Sequence, residues 1–254
     1  MGAFVGRKKL GSLVVLGCLC LVLLFSVGAS AMTAEEIIQR RDSNEYVQTA
    51  IVEAEMIIVN NNREITKTMT SYGDKENALT IFTNPRDRGT KFLKRGDELW
   101  MFFPDAEDLV KISGHMLNQG MMGSDFSYQD IMESDKLTDL YEFELLGEEE
   151  IDGRLCYVLE GTAIPGKEVS YYRRKSWIDK ERFVGLKEEL YARSGRLLKV
   201  MTTTKVEQFD DRWYPVEAVM EDKLRRNTRT EFIVKSIEFN PVISPETFTL
   251  ENLR

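Results

Sequence analysis

Residues 84–132 read NPRDRGTKFLKRGDELWMFFPDAEDLVKISGHMLNQGMMGSDFSYQDIM. A strand-like run over 90–93 is turned by Arg95-Gly96-Asp97, and a second strand returns over 98–103. Pro104 stops it, because proline has no N–H to give to a sheet ladder. A polar turn over 105–108 leads to a short strand over 109–112. A Gly- and Met-rich loop over 113–124 then runs into a short helix over 125–132. Leu99-Trp100-Met101-Phe102-Phe103 is apolar at every position, where a half-exposed strand would alternate. Both faces of that strand therefore need cover. A Met-rich loop beside it points to a greasy interior that a flexible ligand can enter.

Outward from this stretch the chain reads as strands. Upstream they run over 46–59, 64–72 and 78–82, and downstream over 141–150, 155–160, 169–178, 183–192, 197–208, 213–221 and 228–239. Asp152-Gly153 between two of them is a hairpin signal. Turn signals at this regular spacing argue for an antiparallel meander and against βαβ units. Thr33-Ala34-Glu35-Glu36 is a capping box that opens a helix over 33–43, with Ile37 and Ile38 on its buried side. So long a meander must close or curl to protect its edges, and the concave face it makes needs a cover. The N-terminal helix and the segment near 125–140 are the helical material read for it. The expected fold is mainly β (α+β): a curved antiparallel half-barrel meander closed by an N-terminal helix and short lid helices. No Pro/Gly/Ser linker or internal repeat divides residues 32–254, so they are read as a single domain.

Residues 1–31 read as a cleaved secretory signal. Arg7-Lys8-Lys9 is the basic region, 10–27 the apolar region and Ala29-Ser30-Ala31 the cleavage site. An uncleaved anchor and a lipobox at Val15-Leu16-Gly17-Cys18 are the lesser readings. Leu16 is bulky for a lipobox, and an apolar run would follow the modified Cys18. Loss of the three basic residues takes the net charge from −8 to −11. Such a chain repels nucleic acid and anionic membrane surfaces, so it is expected to meet membranes through protein partners. Cys18 and Cys20 leave with the signal, and Cys156 remains as a small buried core residue with no disulfide partner.

The chain has one histidine, His115, and no H-E-x-x-H, C-x-x-C, Walker A or G-x-G-x-x-G motif. A non-enzyme without cofactor or metal is expected. His115 is read as an exposed loop residue, with a pH-sensing role as the minor reading. Asp125 and Asp130 are read as flanking the lid helix, with Ser124 or Asp125 as its N-cap, in preference to a catalytic role. The acidic run around Glu148-Glu149-Glu150 is read as a solvated strand end. Tyr171-Tyr172-Arg173-Arg174-Lys175 is read as a solvated edge strand with Tyr171, Arg173 and Lys175 on one face. Arg86 and Arg88 are either solvated turn residues or candidate contacts for a lipid phosphate or a partner's acidic patch.

The stronger signal is apolar. Phe82, Phe92, Trp100, Phe102, Met121, Met122, Phe126 and Tyr128 fall within one short region. Singly each reads as ordinary core; together they suit a cavity for flexible apolar chains, because Met re-packs around varied shapes. Each buried methylene contributes about 0.8 kcal/mol, so an acyl chain needs no polar recognition.

Pro85-Arg86-Asp87-Arg88-Gly89-Thr90, Leu99-Trp100-Met101-Phe102-Phe103-Pro104 and above all Met122-Gly123-Ser124-Asp125-Phe126-Ser127-Tyr128-Gln129-Asp130 resemble the LolA-like outer-membrane lipoprotein-sorting family. The resemblance is to its broad periplasmic branch. It implies a LolA/LppX-like shell around an apolar cavity, and a monomeric periplasmic carrier of lipoprotein acyl chains or lipids. It further implies an inner-membrane transporter and an outer-membrane acceptor as partners. A lipid-sensing or transporter-accessory module is the alternative, and a carboxylate-based hydrolase the least supported reading. The loop over 113–124, with Gly114, Gly120 and Gly123, is the expected flap.

Overall fold

The computed structural model describes residues 1–2, 32–133 and 135–253. The signal expected over 1–31 lies, apart from Met1 and Gly2, outside the described residues. Helix α1 spans Ala34–Glu45. Thr33 and Glu36 form the expected capping box: the Glu36 N–H donates to Thr33 Oγ1 over 3.2 Å and the Thr33 N–H to Glu36 Oε2 over 2.8 Å. Ile37 and Ile38 are fully buried against Leu137, Leu140, Leu159 and Ile178.

Thirteen strands follow: β1 Ala50–Asn60, β2 Arg63–Gly73, β3 Asn77–Phe82, β4 Lys91–Arg95, β5 Glu98–Phe103, β6 Asp108–Ile112, β7 Tyr141–Ile151, β8 Arg154–Ala163, β9 Arg173–Asp179, β10 Gly185–Tyr191, β11 Leu197–Phe209, β12 Arg212–Asp222 and β13 Thr228–Phe239. They make one antiparallel sheet in the order β6-β5-β4-β3-β2-β1-β13-β12-β11-β10-β9-β8-β7. Two meanders are thus joined by the β1–β13 pair, and the edges are β6 and β7. A sheet of this width curls to bury one face. The β7–β8 hairpin turns on Asp152 (φ 48°) and Gly153 (φ 78°), the paired positive φ values that a two-residue turn requires.

The chain passes from one edge of the sheet to the other through residues 113–140. This crossover contains two 3₁₀ turns, Gly114–Asn118 and Met121–Gly123, and the helices α2 (Tyr128–Met132) and α3 (Leu137–Leu140). It lies over the concave face of β1–β6. Met121 and Tyr128 pack there with Ala54, Met56, Ile58, Met69, Phe82, Phe92, Leu99 and Met101, flanked by Met116, Met122, Phe126 and Met132.

Several expectations need correction. The stretch over 46–49 is not strand; Arg212 Nη1 donates to the carbonyls of Asn44 and Tyr46 and holds this connection against β12. The helix expected over 125–132 starts later, with Ser127 as its N-cap, not Ser124 or Asp125. Strand β9 is not an edge, because β8 and β10 flank it. Tyr171 precedes β9 and is buried, so it does not share an exposed face with Arg173 and Lys175. Helical cover also comes from the C-terminal segment, to which the sequence reading assigned no element: a 3₁₀ turn at Pro245–Phe248 and helix α4, Leu250–Leu253. Phe248 and Leu253 pack on the outer face of the sheet against Leu79, Leu93, Trp100 and Phe102. Both faces of β5 are covered as the sequence demands, one by the crossover and the other by this C-terminal segment.

Candidate functional site

The site is the space between the concave face and its cover. The Ser124–Asp130 segment holds the cover in place through two carboxylates. Asp125, whose side chain has no exposed surface, accepts from Thr228 Oγ1 over 2.6 Å and from Thr230 Oγ1 over 2.7 Å. Its own N–H donates to Thr230 Oγ1 over 2.9 Å. Arg225 Nη1 donates to the Ser124 carbonyl over 3.0 Å. Asp125 thus ties the crossover to β13 and does not cap a helix.

Asp130 has two tasks. It completes the cap of α2, where its Oδ2 accepts from the Ser127 N–H over 2.7 Å and its N–H donates to Ser127 Oγ over 3.2 Å. It also accepts from the Tyr171 hydroxyl over 2.6 Å and from Lys199 Nζ over 2.7 Å, which ties α2 to β11. Burial, and next the Asp130 charge, push the Tyr171 hydroxyl far above its usual range, so it stays a donor.

Two neighbouring cavities lie beside this latch. One, of about 170 Å³, is mainly apolar, lined by Phe126, Met201, Tyr214, Val216, Ala218, Phe232 and Val234 among others. The other, of about 380 Å³, has a mixed lining of charged and apolar side chains and lies between α1, the crossover and β9–β12. Arg41, Glu45, Phe126, Glu188 and Met201 line both. In the shared wall Arg41 pairs with Asp42 and, through Nη2, with Glu45, which also accepts from the Gly185 N–H over 2.8 Å. Burial raises the Glu45 carboxyl, opposed by Arg41 and that N–H. Arg174 Nη2 lies 3.5 Å from Glu188 Oε2, and its guanidinium stacks 4.7 Å over the Tyr141 ring. Ser176 Oγ donates to Glu188 Oε1 over 3.1 Å.

The eight apolar candidates divide. Phe82, Phe92, Met121 and Tyr128 are buried in one cluster, with Met122 and Phe126 packed against it. Phe126 alone of the eight lines the two cavities just described. Trp100 and Phe102 stand on the opposite face, under the C-terminal segment. Arg86 and Arg88 are exposed at the turn between β3 and β4. His115 is exposed and Cys156 fully buried, its thiol pushed up to about 11 chiefly by burial. Sequence reading missed the β12–β13 wall, although its alternation of Tyr214, Val216, Ala218 and Met220 marks one apolar face. It also missed the buried charges of α1, β9 and β10. Among the described residues no group of three or more His, Cys, Asp or Glu is placed to hold a metal ion.

A family model described as "Uncharacterized protein" matches residues 74–254, more than half of the chain. No curated protein matches. Three solved structures share the architecture. A DUF1329 family protein from Desulfovibrio piger is 27% identical with a TM-score of 0.79, covering 87% of this chain and 98% of that one. An outer membrane lipoprotein-sorting protein domain from Vibrio parahaemolyticus is 28% identical with a TM-score of 0.74, covering 87% and 97%. A LolA superfamily protein from Nitrosomonas europaea is 26% identical with a TM-score of 0.73, covering 87% and 100%. The family-model match over residues 74–254 and the likeness to these three structures place the chain in a known group: it belongs to the DUF1329-like family, which shares its fold with LolA superfamily proteins.

Proposed function

We propose that this protein is a periplasmic, non-enzymatic carrier that shelters the acyl chains of lipoproteins or lipids under its crossover and moves them toward the outer membrane. The observation that carries this reading is the cover itself. A Met- and aromatic-rich segment lies on an apolar concave face and is clamped there by two carboxylates, beside a mainly apolar cavity of about 170 Å³. That volume is below the roughly 300–1,000 Å³ of ligand pockets. An acyl chain therefore enters only as the crossover lifts and its methionines re-pack. Family membership supports the cargo class. An inner-membrane transporter would load the carrier and an outer-membrane acceptor would unload it, with Arg86 and Arg88 available as exposed contacts for a partner. The signal at 1–31 would deliver residues 32–254 to the periplasm.

The test is binding of a fluorescent acyl probe to the purified protein and to Phe126→Glu, which puts a charge between the two cavities. Saturable binding that falls at least about tenfold in the variant, with an unchanged fold by circular dichroism, supports the reading. Equal binding by both proteins, or none by the native one, overturns it.

A further inference from the structure

The larger of the two cavities carries a feature that acyl burial leaves unused. Arg174 is more than nine-tenths buried, with 8% of its side chain exposed, yet its Nε has no hydrogen-bond partner. Arg41 Nε, on the facing helix, is likewise buried without a partner. Both residues line the same cavity, and Arg41 also lines the apolar one. A buried guanidinium N–H left unpaired is costly, so two at one cavity mark a place where an acceptor belongs.

The surrounding charge limits what that acceptor is. Six carboxylates and three cations line the cavity. The carboxylates nearest the arginines already accept from protein donors: Asp42 from the N–H and hydroxyl of Thr138, Glu45 from Gly185 and Glu188 from Ser176. A phosphate or free carboxylate would enter a field that is already negative. A neutral carbonyl oxygen would satisfy the free N–H groups without adding charge.

Resting on the carrier reading, we infer that Arg174 and Arg41 form a subsite for the ester or amide carbonyl that joins an acyl chain to its headgroup. The chain lies in the adjoining apolar cavity and the headgroup faces the acidic rim. The subsite selects acyl over alkyl amphiphiles, and uncharged or zwitterionic headgroups over anionic ones.

The experiment is competition against a fluorescent acyl reporter on the purified native protein. The competitors are dioleoyl phosphatidylethanolamine, its di-oleyl ether counterpart and dioleoyl phosphatidate. An ether oxygen is a poorer acceptor than a carbonyl, and a hydrogen bond to a buried guanidinium corresponds to about tenfold or more in affinity. The expected order is ester over ether by at least about tenfold, with phosphatidate no tighter than the ethanolamine ester. The paired variant Arg174→Met, Glu188→Met leaves no lone charge behind. It should bring the affinity for the ester lipid down toward that for the ether lipid, so that most of the ester preference is lost. Equal binding of ester and ether lipids overturns the subsite, the free N–H groups then being met by water, and leaves the carrier reading standing. Phosphatidate binding tenfold tighter overturns the preference for a neutral acceptor. Failure of all three lipids to compete, together with no reporter binding, overturns the carrier reading and the subsite with it.

Discussion

Replacing Thr230 by Val should loosen the crossover without disturbing the strand that carries it. Thr230 is fully buried in β13, and valine keeps its shape and its preference for strand. What disappears is a hydroxyl that donates to Asp125 Oδ2 over 2.7 Å and accepts from the Asp125 N–H over 2.9 Å. A hydrogen bond to a charged acceptor is worth about 1.5–3 kcal/mol and a neutral one about 1 kcal/mol. Thr228 still donates to Asp125 over 2.6 Å, so partial relaxation is open to the carboxylate. The net loss is therefore about 3 kcal/mol, roughly a hundredfold in the opening equilibrium of the cover. Hydrogen exchange read by mass spectrometry on peptides within 113–132 measures that opening directly. Thr230→Ser retains the hydroxyl and serves as the control. Unchanged protection in Thr230→Val, or a loss no greater than in Thr230→Ser, would refute the latch.

Gly120→Ala should also strain the cover, because a Cβ there would sit 2.2 Å from the Ser124 carbonyl oxygen. The expected cost is about 1–3 kcal/mol, read as a fall in melting temperature of about 2–4 °C per kcal/mol. Trp100→Ala should cost about 2 kcal/mol by exposing the outer face beneath Phe248 and Leu253, yet leave acyl-probe affinity unchanged. A large loss of binding would show that this face belongs to the site. Asp179 supplies the pH prediction. Burial pushes its carboxyl up, but the Arg154 side chain and the N–H groups of Arg182 and Glu181 outweigh this and hold it below its ordinary 3.8. The ion pair's stabilisation is thus complete above that value and is lost as pH falls through the depressed folded value. Asp179→Asn should cost about 2–3 kcal/mol at pH 7 and flatten the acid limb of a urea-melt series; an acid limb as steep as the native one would contradict the assignment.

The strands were legible because their signals are local. Thr228–Phe239 and Glu98–Phe103 coincide with the runs read from alternation and turn residues, and Asp152-Gly153 forms its hairpin. The N-cap of α2 was also locally written, since Ser127 and Asp130 have capping-box spacing, but Ser124 and Asp125 offered equally good chemistry upstream. What Asp125 does was not legible. Its partners Thr228 and Thr230 lie over a hundred residues away, and only the joining of β1 to β13 brings that strand under the crossover. Arg174 was hidden for a related reason. Alternation put Tyr171, Arg173 and Lys175 on one face, but reading the basic run as a solvated edge gave the other face, with Arg174, nothing to cover, whereas β9 lies inside the sheet and that face turns onto the cavity. Trp100 and Phe102 show the converse. Their apolar character was read as cavity lining, but an all-apolar strand needs two covers, and theirs is the C-terminal segment.

The central claim is that the concave face holds acyl chains, and native mass spectrometry of the protein purified from cells, followed by organic extraction, tests it most directly. The account predicts a stoichiometric acylated ligand that is lost in Phe126→Glu and retained in Trp100→Ala. A clean ligand-free mass that neither acyl lipid nor lipopeptide can shift would contradict it.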